Sequence, residues 1–263
     1  MSSEVDKETL LAQVLNKSFT LSELVEDKLK GELTSEDATS RENGLKKLAW
    51  VVTNVPPDFL SSSEVSHFFR YFRSKLEDAE LIASPAATVL HHLVVSCRNH
   101  DGEFPRLVFE TLLKESFSLA TEDRFCIYRI FEWLLNLEGN AASDLGSEML
   151  LAFMQATDGE RDPRNLMLVC QLFCTLTSTL APGVFGSDLF EAMACYFPVE
   201  FSAAADDPYG ITAEHLSEAL ARCLTSHSGF ATVCYDLITE KLLEEESAEK
   251  RKRCFQLMVC HSH

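Results

Sequence analysis

Apolar side chains recur at three- and four-residue intervals along most of the chain, which is the spacing of one helix face. The clearest stripe comprises Val65, Phe68, Phe69, Phe72 and Leu76. Similar stripes are Leu45, Leu48, Ala49 and Val52; Ile127, Ile130, Phe131 and Leu134; Leu166, Cys170, Phe173 and Thr177; and Leu216, Leu220, Cys223 and Leu224. No stretch alternates long enough to indicate a β-sheet. The pattern predicts a succession of helices.

Breaks rich in proline, glycine and small polar residues divide these helices. They lie at residues 54–57, 83–85, 101–105 and 182–183. We expect the break at 83–85 to separate two helices, because Pro85 removes a helical hydrogen bond. Asp162-Pro163 predicts a helix start, with Asp162 as N-cap and Pro163 at the first helical position.

The segment from Tyr196 to Thr212 does not follow the helical spacing. Pro198 excludes both a helix interior and a central strand, and the residues near Gly210 are typical of turns. Phe197, Val199 and Phe201 are expected to dock onto the neighbouring helices, and Thr212 to cap the next helix. We predict an ordered connection from Phe197 to Gly210, the longest non-helical element of the chain.

Short turns between successive helices indicate an all-α fold, a HEAT/armadillo-like superhelical array of antiparallel helix pairs. No consensus recurs at a fixed period, so a compact helical bundle stays the alternative. The chain has 263 residues, of which 46% are hydrophobic, so a folded core is expected.

The formal net charge of -18 argues against direct binding of nucleic acid or of an anionic membrane. It suits partners with basic surfaces, and it suits solubility equally well. Nine scattered cysteines argue against a disulfide framework, and we find neither a secretory signal nor an apolar run of membrane-spanning length. The expected compartment is reducing, either cytosol or nucleus.

Candidate chemistry is sparse. Cys170 and Cys174 lie four residues apart, but no second ligand pair accompanies them, so we interpret them as core residues and expect no metal and no cofactor. His91 and His92 are adjacent and point about 100° apart on a helix, so one is expected buried and one exposed. No catalytic motif is present, and we predict a non-enzyme. Residues 250–253 are interpreted as a salt-bridged helix face rather than a nuclear-localisation signal.

Three segments in order, residues 153–166, 195–201 and 206–212, carry a family resemblance. They resemble the N-terminal domain of the methyl-methanesulfonate-sensitivity, nucleotide-excision-repair and transcription-regulator family. The positions that match its motifs have an expected structural or interaction role: Asp158, Gly159, Asp162, Pro163, Arg164, Asn165, Phe197, Pro198, Phe201, Asp207, Pro208 and Gly210.

The resemblance implies a single N-terminal helical-repeat domain over residues 1–263, expected to be a piece of a much longer chain. It implies a scaffold of the cytosolic iron–sulfur protein assembly machinery, present in cytoplasm and nucleus, that presents apo-clients of DNA replication, repair and transcription. Implied partners are those clients and, through the C-terminal part, a WD-repeat propeller subunit and a small MIP18-like subunit. The alternatives are a generic HEAT/armadillo adaptor in nuclear transport or transcription and, third, an enzyme.

Overall fold

Several helices of this protein begin at short polar side chains that accept a hydrogen bond from the first turn. The computed structural model describes residues 6–76, 80–98, 100, 102–114, 120–137, 141–202 and 209–244. Thr20 and Ser61 form capping boxes with Glu23 and Glu64, and Asp37 accepts from the backbone N–H of Ser40. Each cap satisfies a backbone donor that has no partner inside its helix.

The chain packs as two compact units, Met1–Trp133 and Leu134–His263. The first unit contains these helices: α1 (Lys7–Leu15), α2 (Leu21–Leu24), which continues through a π-helical turn (Val25–Leu29) into α3 (Lys30–Leu33), α4 (Ala38–Asn54), α5 (Ser62–Arg73), α6 (Glu80–Val95), α7 (Phe104–Lys114) and most of α8 (Thr121–Leu135). The single domain over residues 1–263 stays a prediction.

The second unit is also helical. Its elements are α9 (Ala141–Thr157), which is kinked at Gly146, α10 (Pro163–Thr179), a 3-10 turn (Gly183–Phe185), α11 (Gly186–Ala194), α12 (Ala213–Leu224), a second 3-10 turn (Ser228–Phe230) and α13 (Ala231–Glu244). None of the described residues in either unit lies in a β-strand. The predicted all-α class is therefore confirmed.

In each unit, the two helices that pack most closely are separated in the chain by one other helix. In the first unit α4 packs on α6, and in the second α10 packs on α12, while the intervening helices α5 and α11 contact α6 and α12. This alternation is expected of helical hairpins stacked on one another. It matches the predicted repeat array better than the alternative bundle.

The predicted apolar stripes form the core. Val65, Phe68, Phe69 and Phe72 of α5 are all buried, and α6 covers them. Gly44 lies where α3 crosses α4, and a Cβ there would come within 2.7 Å of the Glu32 Cβ. No described helix combines the length and the apolar character needed to cross a bilayer.

The break expected at residues 83–85 is wrong. Pro85 lies inside α6, which runs unbroken from Glu80 to Val95. Ala83, Ala86 and Ala87 on either side are buried, so packing offsets the hydrogen bond that proline cannot make. The neighbouring breaks are confirmed, because α4 ends at Asn54 and α10 ends before Pro182.

Several expectations fall on residues outside the described ranges. These are Asp207 and Pro208, the basic run at 250–253, and residues 203–208 of the predicted long connection. Residues 197–202 and 209–210 of that connection are described and are non-helical, and its total length stays a prediction.

Candidate functional site

A buried carboxylate organises the turn between α9 and α10. After α9 ends at Thr157, Gly159 adopts a φ of 67°, a left-handed conformation that favours glycine. Glu160 follows and is only 1% exposed. Its Oε1 accepts from the backbone N–H groups of Arg161 (2.8 Å) and Asp162 (2.9 Å), and its Oε2 accepts from Nδ2 of Asn165 (3.0 Å). The first family motif is thus a turn whose N–H groups donate hydrogen bonds to the carboxylate of Glu160.

The start of α10 is built as predicted. Pro163 occupies the first turn, and Oδ1 of the N-cap Asp162 accepts from the backbone N–H of Asn165 at 3.0 Å. Asn165 is fully buried, and its side-chain hydrogen bond to Glu160 fixes the start of α10 to the preceding turn. The sequence alone predicted the cap at Asp162, but it did not predict that Glu160 would be buried and accept hydrogen bonds from the turn.

Arg164 joins the first motif to the third. Its Nη1 donates to the hydroxyl of Tyr209 at 3.0 Å, and its guanidinium lies 4.9 Å from the centroid of the same ring. Such a stacked cation contributes roughly 0.5–1 kcal/mol at an exposed site. Gly210 follows with a φ of 60°, and Thr212 then caps α12 as predicted, accepting from the N–H of His215. Tyr209 was not among the predicted site positions.

The second motif lies across from the start of α10. Phe197 and Val199 are buried, and Pro198 and Phe201 are half-buried. Between this segment, Pro163 and Leu166 of α10, and Leu216 and Leu220 of α12 lies an open groove of about 540 Å³. The expected docking of Phe197 and Val199 is confirmed. The groove therefore lies between the first and second motifs, and the contact of Arg164 with Tyr209 adds the third.

The groove carries negative charge. Two acidic residues, Glu160 and Glu200, and one basic residue, Arg161, line it. Burial raises the pKa of Tyr196, and the nearby Cys195, Glu160 and Asp158 raise it further. Burial and then Asp158 likewise raise the pKa of Cys195. Burial is the larger cause of both shifts, and the neighbouring carboxylates add to it.

Three cysteine thiols converge at the contact between α10 and α12. Cys170 and Cys174 lie on successive turns of α10, and the thiol of Cys223 donates to the carbonyl oxygen of Cys170 at 3.2 Å. Burial raises the pKa of Cys223 well above its ordinary range, whereas a hydrogen bond from Cys223, together with the charge of Arg222, lowers the pKa of Cys174. Cys170 is buried in the core as expected, whereas Cys174 is half-buried, and the proximity of Cys223 was not predicted because it comes from another helix.

No chemical centre is formed by the residues that the structure describes. Within the described part of the chain, no group of three or more His, Cys, Asp or Glu side chains could hold a metal ion. His91 and His92 on α6 are both half-buried, rather than one buried and one exposed, and burial lowers the pKa of each. The absence of metal and of catalysis stays a prediction.

Comparison with known proteins identifies the family. Residues 27–262 match the family described as Dos2-interacting transcription regulator of RNA-Pol-II. The chain is 31% identical to the MMS19 nucleotide excision repair protein homolog of Danio rerio, over 94% of the chain and 24% of that protein. It is 28% identical to the DNA repair/transcription protein MMS19 of Saccharomyces cerevisiae, over 96% of the chain and 25% of that protein.

The chain thus spans about a quarter of the length of these curated relatives. The family match includes all three motif segments, because it extends from residue 27 to residue 262. Since that match covers most of the 263 residues, the chain belongs to the family of Dos2-interacting transcription regulators of RNA-Pol-II, which is the MMS19 family.

Proposed function

We propose that this chain is a non-catalytic scaffold segment that contributes to DNA repair and transcription by presenting client proteins. The names of the relatives, which are DNA repair and transcription proteins, support this role. The observation that carries it is the groove, where motif positions from two separate segments surround an open apolar surface. An apolar groove with few polar groups suits recognition of a protein segment.

In its specific form, the proposal assigns the scaffold to the targeting complex of cytosolic iron–sulfur protein assembly. The clients are apo-proteins of DNA replication, repair and transcription that await a cluster, and the scaffold acts in cytoplasm and nucleus. The WD-repeat propeller subunit and the MIP18-like subunit bind repeats elsewhere in the longer protein. In a solenoid each repeat contacts its neighbours, so a site hundreds of residues away is built without this segment.

Deletion of residues 1–263 from the full-length protein tests the proposal. We expect incorporation of radioactive iron into an apo-helicase client to fall, while the truncated protein still co-purifies with the propeller subunit. Unchanged iron incorporation would contradict the client role. Tight binding of the isolated chain to the propeller subunit would contradict the proposal that this subunit binds repeats elsewhere in the longer protein.

The family description, which names a transcription regulator of RNA-Pol-II, keeps a generic adaptor in transcription or nuclear transport as the second candidate. The same deletion distinguishes it. A generic adaptor would leave iron incorporation normal and would alter the nuclear amount of a cargo or the output of a reporter gene.

A further inference from the structure

The groove between residues 197–201, α10 and α12 has the dimensions of a recognition site. Its volume of about 540 Å³ lies within the range of roughly 300–1,000 Å³ that is common for ligand pockets. Leu216 and Leu220 are 5% and 2% exposed and form a closed apolar base, while Pro198 and Phe201 are half-buried at its side. A large aliphatic or aromatic side chain entering the groove would lose contact with water on most sides.

The walls of the groove are held in place before any partner arrives. On one side, Glu160 accepts three hydrogen bonds and Asp162 caps α10. On the other, Thr212 caps α12, which packs on α10. A preformed site loses little conformational entropy on binding, so a short segment can bind it usefully.

Charge indicates which segment fits. Glu200 at the rim and Asp158 beside it are exposed, and Glu160 adds a third carboxylate, against Arg161 as the basic side chain of the lining. Residues 134–263 as a whole contain 19 acidic and 8 basic side chains, a net charge of -11. Asp158 and Glu160 are also close enough to Tyr196, on the groove wall, to contribute to the raised pKa of its hydroxyl after burial. A basic partner is therefore attracted and an acidic one repelled.

We propose that this groove docks a short segment of a partner protein in which one large apolar side chain is flanked by lysine or arginine. The apolar side chain lies over Leu216 and Leu220, beside Phe201, and the basic side chains pair with Glu200 and Asp158. This inference rests on the proposed function, where the partner is a client protein, and it names the feature of the client that the scaffold reads.

Selection from a displayed library of random twelve-residue peptides tests the proposal on the full chain. We expect enriched peptides to share an apolar residue next to lysine or arginine. Their synthetic, fluorescently labelled versions should bind about tenfold more weakly to Phe201→Ser and to Glu200→Lys. Binding should also weaken as NaCl rises from about 50 mM to about 300 mM.

Two matched variants control for folding and for net charge. Tyr235→Ser removes an exposed aromatic residue of α13, and Asp236→Lys makes the same charge change as Glu200→Lys on an exposed site of that helix. Both should bind the peptides like the unmodified chain. No enrichment, an acidic consensus, or equal loss in test and control variants would overturn the proposal.

The full-length protein separates this inference from the proposed function. If deletion of residues 1–263 stops iron incorporation but Phe201→Ser does not, clients do not bind through the groove, and the proposed client role stands. If the deletion has no effect, the client role itself is wrong, whatever the peptides do.

Discussion

The two units differ in how many basic side chains accompany their acidic ones. Residues 1–133 contain 22 acidic and 15 basic side chains, and several acids face a cation, as Glu32 faces Lys47 at 2.7 Å and Glu132 faces Arg129. Residues 134–263 contain only 8 basic side chains against 19 acidic ones. There, Glu160 and Asp162 are stabilised by N–H groups of the α10 start.

This difference has a functional consequence. Because the second unit has fewer basic side chains for its acidic ones, it has the larger net negative charge, -11 against -7. The second unit therefore combines a rigid turn with a negative surface, and its apolar groove lies at that turn. Both units bury aromatic residues in a core, as Phe69 and Phe104 do in the first (ring centroids 5.3 Å apart) and Phe173 and Phe230 in the second (5.9 Å apart).

The largest expected effect comes from removing the buried carboxylate. Glu160→Ala leaves three N–H donors without their acceptor and should lower the free energy of unfolding by about 3 kcal/mol. Glu32→Ala, which breaks a half-buried ion pair of the first unit, should cost less than about 1 kcal/mol. Urea unfolding of both variants measures the contrast. Equal losses would remove the distinction between the two units.

Replacing one proline in each unit should change the stability of the protein in opposite directions. Pro85→Ala restores a backbone donor inside α6 of the first unit and should raise stability by about 2 kcal/mol. Pro163→Ala, in the first turn of α10, gains no such bond and should lower stability by about 0.5 kcal/mol, because the unfolded chain becomes more flexible. Thermal melts of the two variants should shift in opposite directions, and a destabilised Pro85→Ala would contradict our account of α6.

Helix caps should behave alike in both units. Asp162→Ala removes the acceptor of the Asn165 N–H, and Asp37→Ala removes that of the Ser40 N–H. Each should cost about 1 kcal/mol. If denaturant unfolding leaves either variant unchanged, the cap contributes nothing at that helix. If Asp162→Ala lowers the free energy of unfolding clearly more than Asp37→Ala, Asp162 stabilises the α10 turn through more than its cap hydrogen bond.

The smallest effect concerns thiol reactivity. A lowered pKa gives Cys174 more thiolate near neutral pH, so its alkylation should begin at a lower pH than that of Cys97 or Cys234, whose pKa values burial raises to about 11. Peptide mass mapping after brief iodoacetamide treatment across a pH series measures this order. Cys223→Ala removes the hydrogen bond and should slow Cys174 at neutral pH. An unchanged rate would refute the contact.

Some features of the site follow from a few neighbouring residues. Asp162-Pro163 and Thr212 mark helix starts because a cap is a contact between residues three apart. The apolar stripe of α5 predicted a buried face for a similar reason, since helical periodicity alone decides which side chains share a face. The family resemblance, confirmed over residues 27–262, also rests on the order of residues in the chain.

Other features depend on contacts between residues distant in the chain. Glu160 is a charged turn residue by its neighbours, yet packing buries it, and Pro85 remains in a helix because buried alanines on both sides hold it there. Cys223 reaches Cys170 only because α12 packs on α10, 53 positions away in the chain. The sequence by itself determined the all-α class, the apolar helix faces, the caps at Asp162 and Thr212 and the family. Only the tertiary structure decided the continuity of α6, the burial of Glu160, the pKa shifts and the groove, because each depends on which distant atoms exclude water from the same place.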